Sequence, residues 1–224
     1  MSSAPAADVL PRRNIELIAT VKYFIVENLR TARRFLKSCD RAIDIDSLHF
    51  VELNTHTDPA AIPAMIAPLK EGHDVGIISE AGCPAIADPG AQVVALAQKH
   101  GFKVDPLVGP SSILLALMGS GFNGQSFAFT GYLPIDAAAR TAALKRLHRE
   151  AVNNRQTAIF IETPYRNNRL IAEICTSLPP STLLCVASDI TGPNQQILTL
   201  PLSQWRSRQY NYDKIPTIFL LFTN

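Results

Sequence analysis

Residues 74–90 read DVGIISEAGCPAIADPG, and the fold is decided by how this stretch is read. Asp74 to Ser79 is a short apolar run of the kind that suits a buried strand. Ser79 to Gly90 follows at once, with two glycines, two prolines and two carboxylates in twelve residues. Gly90 to His100 then carries apolar residues at helical spacing and stops at Gly101. Strand, loop and helix in that order make one βα unit. In an open α/β sheet, ligands bind where the strands end, so the loop lies where a site belongs. Glycines let backbone approach a ligand closely, and prolines hold a loop rigid. On the residues alone two readings stand level: a ligand-binding loop, or an ordinary connection in which Asp88 caps the next helix.

The same rhythm extends to both sides. Upstream, the first dozen residues are small, polar and proline-bearing and are expected to be loose. Val21 to Val26 is β-prone, Leu29 to Lys37 reads as a basic helix with a solvated face, and Pro59 to Glu71 reads as a helix ended by Gly72. Downstream, Lys103 to Val108 is expected as a strand and Ser111 to Gly119 as a helix. The second half predicts strands over Phe127–Gly131, Thr157–Glu162 and Thr182–Ser188. Helices are expected over Asp136–Asn153, with its Arg, Lys and His outward, and over Arg166–Leu178. Gln195–Leu202 and Pro216–Phe222 look like strands with no helix between them, which predicts that they pair antiparallel. Alternating βα units imply an α/β protein of two lobes, 1–109 and 110–224, the first sheet mainly parallel and the second mixed.

Composition narrows the classes. With 47% hydrophobic and 18% charged residues the chain has the make-up of a globular domain. A formal net charge of +2 is too small to argue for nucleic acid by itself. No apolar run approaches the roughly 18 residues of a membrane span, and MSSAPAADVLP has neither the basic nor the apolar region of a signal peptide, so a cytoplasmic protein without a membrane partner is expected. Cys39, Cys83, Cys175 and Cys185 form no C-x-x-C pair and no histidine lies at zinc spacing; reduced thiols and no metal are expected.

A second loop of interest is Gly109-Pro110-Ser111-Ser112, which follows the 103–108 run and opens a helix. Ser111 or Ser112 could be its N-cap, and exposed N–H groups there could hold a carboxylate or hydroxyl. Taken in order, SEAGCPAIADPG, then VGPSS, then Gly131-Tyr132-Leu133-Pro134, resemble the motifs of the tetrapyrrole methylase superfamily. Within it they are most similar to the branch that 2′-O-methylates a cytidine of small-subunit ribosomal RNA. Glu27-Asn28-Leu29-Arg30-Thr31 resembles that branch's E-D-T-R element, Glu162-Thr163-Pro164-Tyr165-Arg166 its E-[ST]-x-[HY]-R element, and Ser188-Asp189-Ile190-Thr191 its R-E-L-T element. The likeness runs from about Glu16 to the C-terminus.

The resemblance implies two α/β domains with S-adenosylmethionine in the cleft between them, and a homodimer. It further implies that Ala81, Gly82, Cys83, Ile86, Ser111, Ser112, Glu162 and the segment near Asp189 line the cofactor. A hydroxyl acceptor would be helped by a base, for which Glu27, Glu80 and Asp88 are candidates. Arg30 could hold a phosphate or an acidic substrate group, unless Glu27 and Arg30 merely form a surface ion pair. Trp205 and Tyr210–Tyr212 could stack on a base, though packing is the expected role. The chain departs from the family pattern at both ends, with no apolar first strand in MSSAPAADVLP and no extension after the strand TIFLLF. Three readings therefore stand: an RNA methyltransferase, a methyltransferase of tetrapyrroles or other small molecules, and a non-catalytic relative.

Overall fold

The computed structural model describes residues 5–223, which divide into two compact units between Ser111 and Ser112. The first unit runs α1 (Ala6–Val9), α2 (Arg12–Ile18), β1 (Tyr23–Val26), α3 (Leu29–Cys39), β2 (His49–Glu52), α4 (Ile62–Met65), α5 (Ala67–Lys70), β3 (Val75–Ile78) and α6 (Ala91–Lys99). Its three strands are all parallel, in the order β2-β1-β3. The central strand β1 is the most apolar, because it must be buried on both faces. Phe24 and Val26 pack on one side with Ala32, Leu36 and Ile43, while Ile25 packs on the other with Ile62, Met65, Ile66 and Val93. Gly76 in β3 makes room for this: a Cβ there would come within 3.0 Å of the Phe24 ring.

Three expectations for this unit are corrected. Pro59–Glu71 is not one helix but a turn of 3₁₀ helix at Pro59–Ala61 followed by α4 and α5. Pro63 and Pro68 each lack an N–H and fit only the first turn of a helix, so each restarts one. Lys103–Val108 forms no strand. Pro106 cannot donate to a ladder, and the segment is held instead from α2, where the buried Asn14 donates from Nδ2 to the Val108 carbonyl at 2.8 Å. The first dozen residues are not loose throughout: α1 and the start of α2 lie there, each entered through a proline, Pro5 and Pro11. Strand β2 carried no clear signal, and only one of its four residues, Phe50, is even half-buried.

The second unit runs α7 (Ser112–Ser120), β4 (Phe127–Tyr132), α8 (Ala137–Asn154), β5 (Thr157–Ile161), α9 (Asn167–Ser177), β6 (Leu183–Ser188), β7 (Gln196–Pro201), α10 (Leu202–Ser207) and β8 (Thr217–Phe222). Its five-stranded sheet has the order β4-β5-β8-β6-β7, with only β4 and β5 parallel. The sheet is mixed, as the broken rhythm predicts. β7 and β8 do not pair with each other, however: β8 slots between β5 and β6, and α10 separates the two in sequence. That helix exists to bury Trp205, which is fully enclosed and donates from Nε1 to the Leu184 carbonyl at 3.0 Å. Phe160, Leu184, Val186, Phe219 and Leu221 face α8, α9 and α10, and Ile159, Cys185, Ile218 and Leu220 face α7.

Arg140 is not on the outer face of α8 as expected. It is 4% exposed and its guanidinium grips Glu173 of α9 with both carboxylate oxygens, at 2.6 and 2.8 Å, while Nη1 donates to the carbonyls of Pro134 and Ile135. The Arg140 guanidinium holds the Glu173 carboxyl below the usual carboxylate range. One cation thus ties α8 and α9 to the Pro134–Ile135 segment that follows β4. Removing it leaves two carbonyls without their donor and the Glu173 carboxylate with only Arg169, whose Nε reaches Oε1 at 2.9 Å. Arg140→Ala is expected to lower the unfolding free energy by about 3 kcal/mol, measured by urea denaturation. Glu173→Gln should cost less, since Arg140 keeps its two carbonyl acceptors.

Candidate active site

The parallel register of β1 with β3 pairs Val26 with Ile78, so the loops that follow the two strands start side by side. Glu27 and Asn28 begin one loop, Ser79 and Glu80 the other. The second loop is strained. Four of its residues have positive φ: Gly82 (77°), Ala85 (66°), Ala87 (61°) and Gly90 (130°). Each alanine there gives up about 1 kcal/mol or more against a right-handed conformation. Such strain persists only where the surroundings over-determine it, and it concentrates at functional sites.

Several bonds hold the loop. Ser79 Oγ donates to Asp88 Oδ2 at 2.6 Å and accepts the Ala81 N–H at 3.2 Å. The Ile86 N–H reaches the Cys83 carbonyl at 3.1 Å. The Cys83 thiol lies 3.7 Å from the Pro110 carbonyl, which tethers SEAGCPAIADPG to the Gly109–Ser111 element. Asp88 is therefore not the cap of α6. Gly90 occupies that position and Asp88 closes the base of the loop. At Gly82 the backbone faces open space, with nothing within 4 Å of where a Cβ would stand.

Three carboxylates gather at the strand ends. Glu27 Oε2 accepts the Glu80 backbone N–H at 3.2 Å, and Thr31 Oγ1 donates to Glu80 Oε1 at 2.5 Å. Burial pushes the Glu27 carboxyl above its ordinary range; the Glu80 N–H opposes this, and the charges of Asp88 and Glu80 add to it. Asp88 is raised for the same reasons, burial first and then Glu80, against the bond from Ser79. A carboxylate made more basic in this way is suited to take a proton from a hydroxyl. The ion pair between Glu27 and Arg30 is absent among the described residues. Arg30 is exposed, and its helix starts on Asn28, whose Oδ1 accepts the N–H groups of Arg30 and Thr31 at 3.0 and 3.1 Å.

In the second unit Ser112 is the first residue of α7, directly after Ser111. Glu162 follows β5 and is 6% exposed. Its Oε1 accepts the Thr163 N–H and two bonds from Arg166, at 2.7, 3.1 and 2.6 Å, so this oxygen is spent on its own turn. Asp189 follows β6 with φ 47°. Its carbonyl accepts the Gly192 N–H and its Oδ2 the Asn194 N–H, building the turn that leads to β7. Thr31, Ser79 and Arg166 carry these arrangements and were not singled out from the sequence. Only Arg166 had a positional signal, four residues after Glu162; Ser79 and Thr31 bond carboxylates nine and 49 residues away, which no local spacing shows.

Comparison with known proteins adds the following. The family model for Tetrapyrrole (Corrin/Porphyrin) Methylases matches residues 5–205. A protein of Vibrio cholerae named ribosomal RNA small subunit methyltransferase I is 26% identical over 215 residues, which cover 95% of this chain and 72% of that protein. A protein of the same name from Micromonospora olivasterospora is 31% identical over 198 residues, covering 88% and 59%. The chain thus spans roughly two thirds of the length of such relatives. Among solved structures, the methyltransferase CobJ superposes with a TM-score of 0.64 at 17% identity, covering 96% of this chain and 89% of that one. The cobalt precorrin-4 methyltransferase CbiF gives 0.59 at 13% identity, covering 96% and 89%. At these identities the likeness establishes the fold.

The raised carboxyls make stability depend on pH. A folded-state pKa above the unfolded value favours folding when the group is protonated, and that advantage is lost as pH rises through the folded pKa. Glu27→Gln keeps an acceptor for the Glu80 N–H and removes the charge. It is expected to raise Tm at pH 7 by no more than about 2 °C, because the group is only partly buried, and to have no effect near pH 4. Calorimetry at the two pH values checks the sign.

Proposed function

Because the chain belongs to the tetrapyrrole (corrin/porphyrin) methylases, we propose that it is an S-adenosylmethionine-dependent methyltransferase whose acceptor is a ribose 2′-hydroxyl of ribosomal RNA. The names of its relatives and the order of its motifs support the acceptor. The observation that carries the reading is the strained loop 79–90, set at the carboxyl end of β3 beside carboxylates of raised pKa.

The residues present fit the cofactor. Beyond Gly82 there is open space, and among the described residues the N–H groups of Gly82 and Cys83 have no protein acceptor. Ile86, 51% exposed, offers apolar surface in the same loop. Ala81, Gly82, Cys83, Ile86 and Ser111 are the proposed cofactor contacts of the first unit. Ser112, Glu162 and Asp189 are those of the second, on the ground of the resemblance. When bound, S-adenosylmethionine supplies an electrophilic methyl group. The protein's part is to align the acceptor and take up its proton, for which Glu27 and Asp88, both raised by burial, are the proposed bases, with Glu80 beside them.

A homodimer in the cytoplasm completes the reading. Its support is apolar surface on the second unit, where Met118, Ile135 and Tyr165 are 76–80% exposed. Among the described residues no helix is long and apolar enough to cross a membrane. Sedimentation at micromolar concentration should give twice the chain mass; a monomer there counts against assembly.

Titration with S-adenosylhomocysteine tests the cofactor site. Gly82→Val, placed at positive φ in the open space, should weaken binding by at least about tenfold, roughly 1.4 kcal/mol. Ser112→Val should weaken it less, because the backbone donors remain. No binding to the parent at millimolar ligand would overturn the methyltransferase reading in favour of a non-catalytic relative. Transfer of labelled methyl to a porphyrinoid but not to small-subunit ribosomal RNA would overturn the acceptor alone.

A further inference from the structure

The first unit carries an open surface cavity of about 460 Å³ lined by Asn28, Leu29, Arg30, Arg33, Arg34 and Glu52. Three guanidinium groups and one carboxylate share its wall. Helix α3 supplies the cations at positions i, i+3 and i+4, and Lys37 continues the stripe one turn on, while Ala32 and Leu36 face the core. Among the described residues, none of Arg30, Arg33 and Arg34 lies within ion-pairing distance of a carboxylate.

This placement is unfavourable for the helix itself. Like charges three and four residues apart repel across one helix face. Arg30 stands in the first turn, where the helix dipole is positive and favours anions. A sequence selected for helix stability would carry Asp or Glu there. The backbone cannot be the reason for the cavity either, because its donors are already used. The Leu29 N–H goes to Glu52 Oε1 at 2.9 Å, and those of Arg30 and Thr31 go to Asn28. Arg33, by contrast, is held ready: its guanidinium carbon sits 5.5 Å from the centre of the Phe50 ring, and Phe50 stacks on Phe24 of the core strand.

We infer that the Arg30–Arg33–Arg34 cavity is a binding site for the phosphodiester backbone of the RNA substrate, a group that the planar donors of arginine match in pairs. The inference rests on the proposed RNA acceptor and deepens it. The cavity wall begins at Asn28, the residue next to Glu27, so a strand held there by its phosphates passes the carboxylates at the ends of β1 and β3. Glu52 opposes the anion, but three positive groups outweigh it, and one of its oxygens is occupied by the Leu29 N–H.

The test is a fluorescence anisotropy titration of the full chain with a fluorescein-labelled fragment of small-subunit ribosomal RNA at several salt concentrations. The triple variant Arg30→Gln, Arg33→Gln, Arg34→Gln should bind at least about tenfold more weakly, and the slope of log K against log salt should fall in magnitude by about two. A charge-matched control on α8, Lys145→Gln, Arg146→Gln, Arg149→Gln, should lose far less. Circular dichroism verifies folding. Should the triple variant unfold, Arg30→Gln and Arg34→Gln singly, each expected to be about threefold weaker, decide the matter. Equal losses in the two triple variants, or no loss in the α3 variants, overturn this site while leaving the RNA acceptor standing. A parent protein that binds no RNA overturns both.

Discussion

The register of β1 against β3 is the constraint on which the candidate site depends. Val26 pairs with Ile78 in parallel, so two loops that are more than fifty residues apart in sequence leave the sheet at the same level. Glu27 and Glu80 are neighbours for that reason, and the bond from Ser79 brings Asp88 to them. Shifting one strand by a residue would turn Ile25 out of its core and separate the carboxylates at the same time, because side chains alternate with a period of two. Packing and site are therefore held by one set of contacts. Phe24 and Val26 on one face, and Ile25 on the other, lock the register, and Gly76 is small so that Phe24 can lie flat against it.

That rigidity supports an unfavourable local arrangement. Two alanines in the left-handed region and carboxylates raised by burial and by one another all oppose stability. They are tolerated because Ser79, Thr31 and the Cys83–Pro110 contact close the loop from several sides. The cationic stripe of α3 follows the same pattern of groups placed against their own helix. The second unit shows the opposite economy. Arg140 and Glu173 satisfy each other and two carbonyls, and Glu162 is occupied by Arg166. Titratable groups there build structure, whereas those at the end of the first sheet remain available.

A net charge of +2 conceals this separation. The total says little about anion binding because it carries no positions, and only the structure shows three arginines of α3 around one cavity with a single carboxylate, Glu52. Arg140 makes the complementary point. In sequence it resembles the other basic residues of α8, yet it is the one that faces inward, because Pro134, Ile135 and Glu173 offer it acceptors that water would otherwise have to replace.

The sequence by itself determined the two-lobed α/β plan and the family, since strand–helix alternation and the ordered glycine- and proline-bearing loops are local patterns that survive without coordinates. It also located the loop 79–90 and its carboxylates. What it missed depended on neighbours far along the chain. Lys103–Val108 has a strand's composition, but a strand needs a partner, and α2 reached it instead. Gln196–Pro201 and Thr217–Phe222 each look ready to pair with the other, but the sheet inserted β8 between β5 and β6 and used α10 to bury Trp205. The role of Asp88 likewise depended on distance: an aspartate two residues before a helix reads as its cap until Ser79 is seen to claim it. Only the tertiary structure decided these points, because ladder pairing, burial of a charge and the partner of a side chain are set by atoms close in space and remote in sequence.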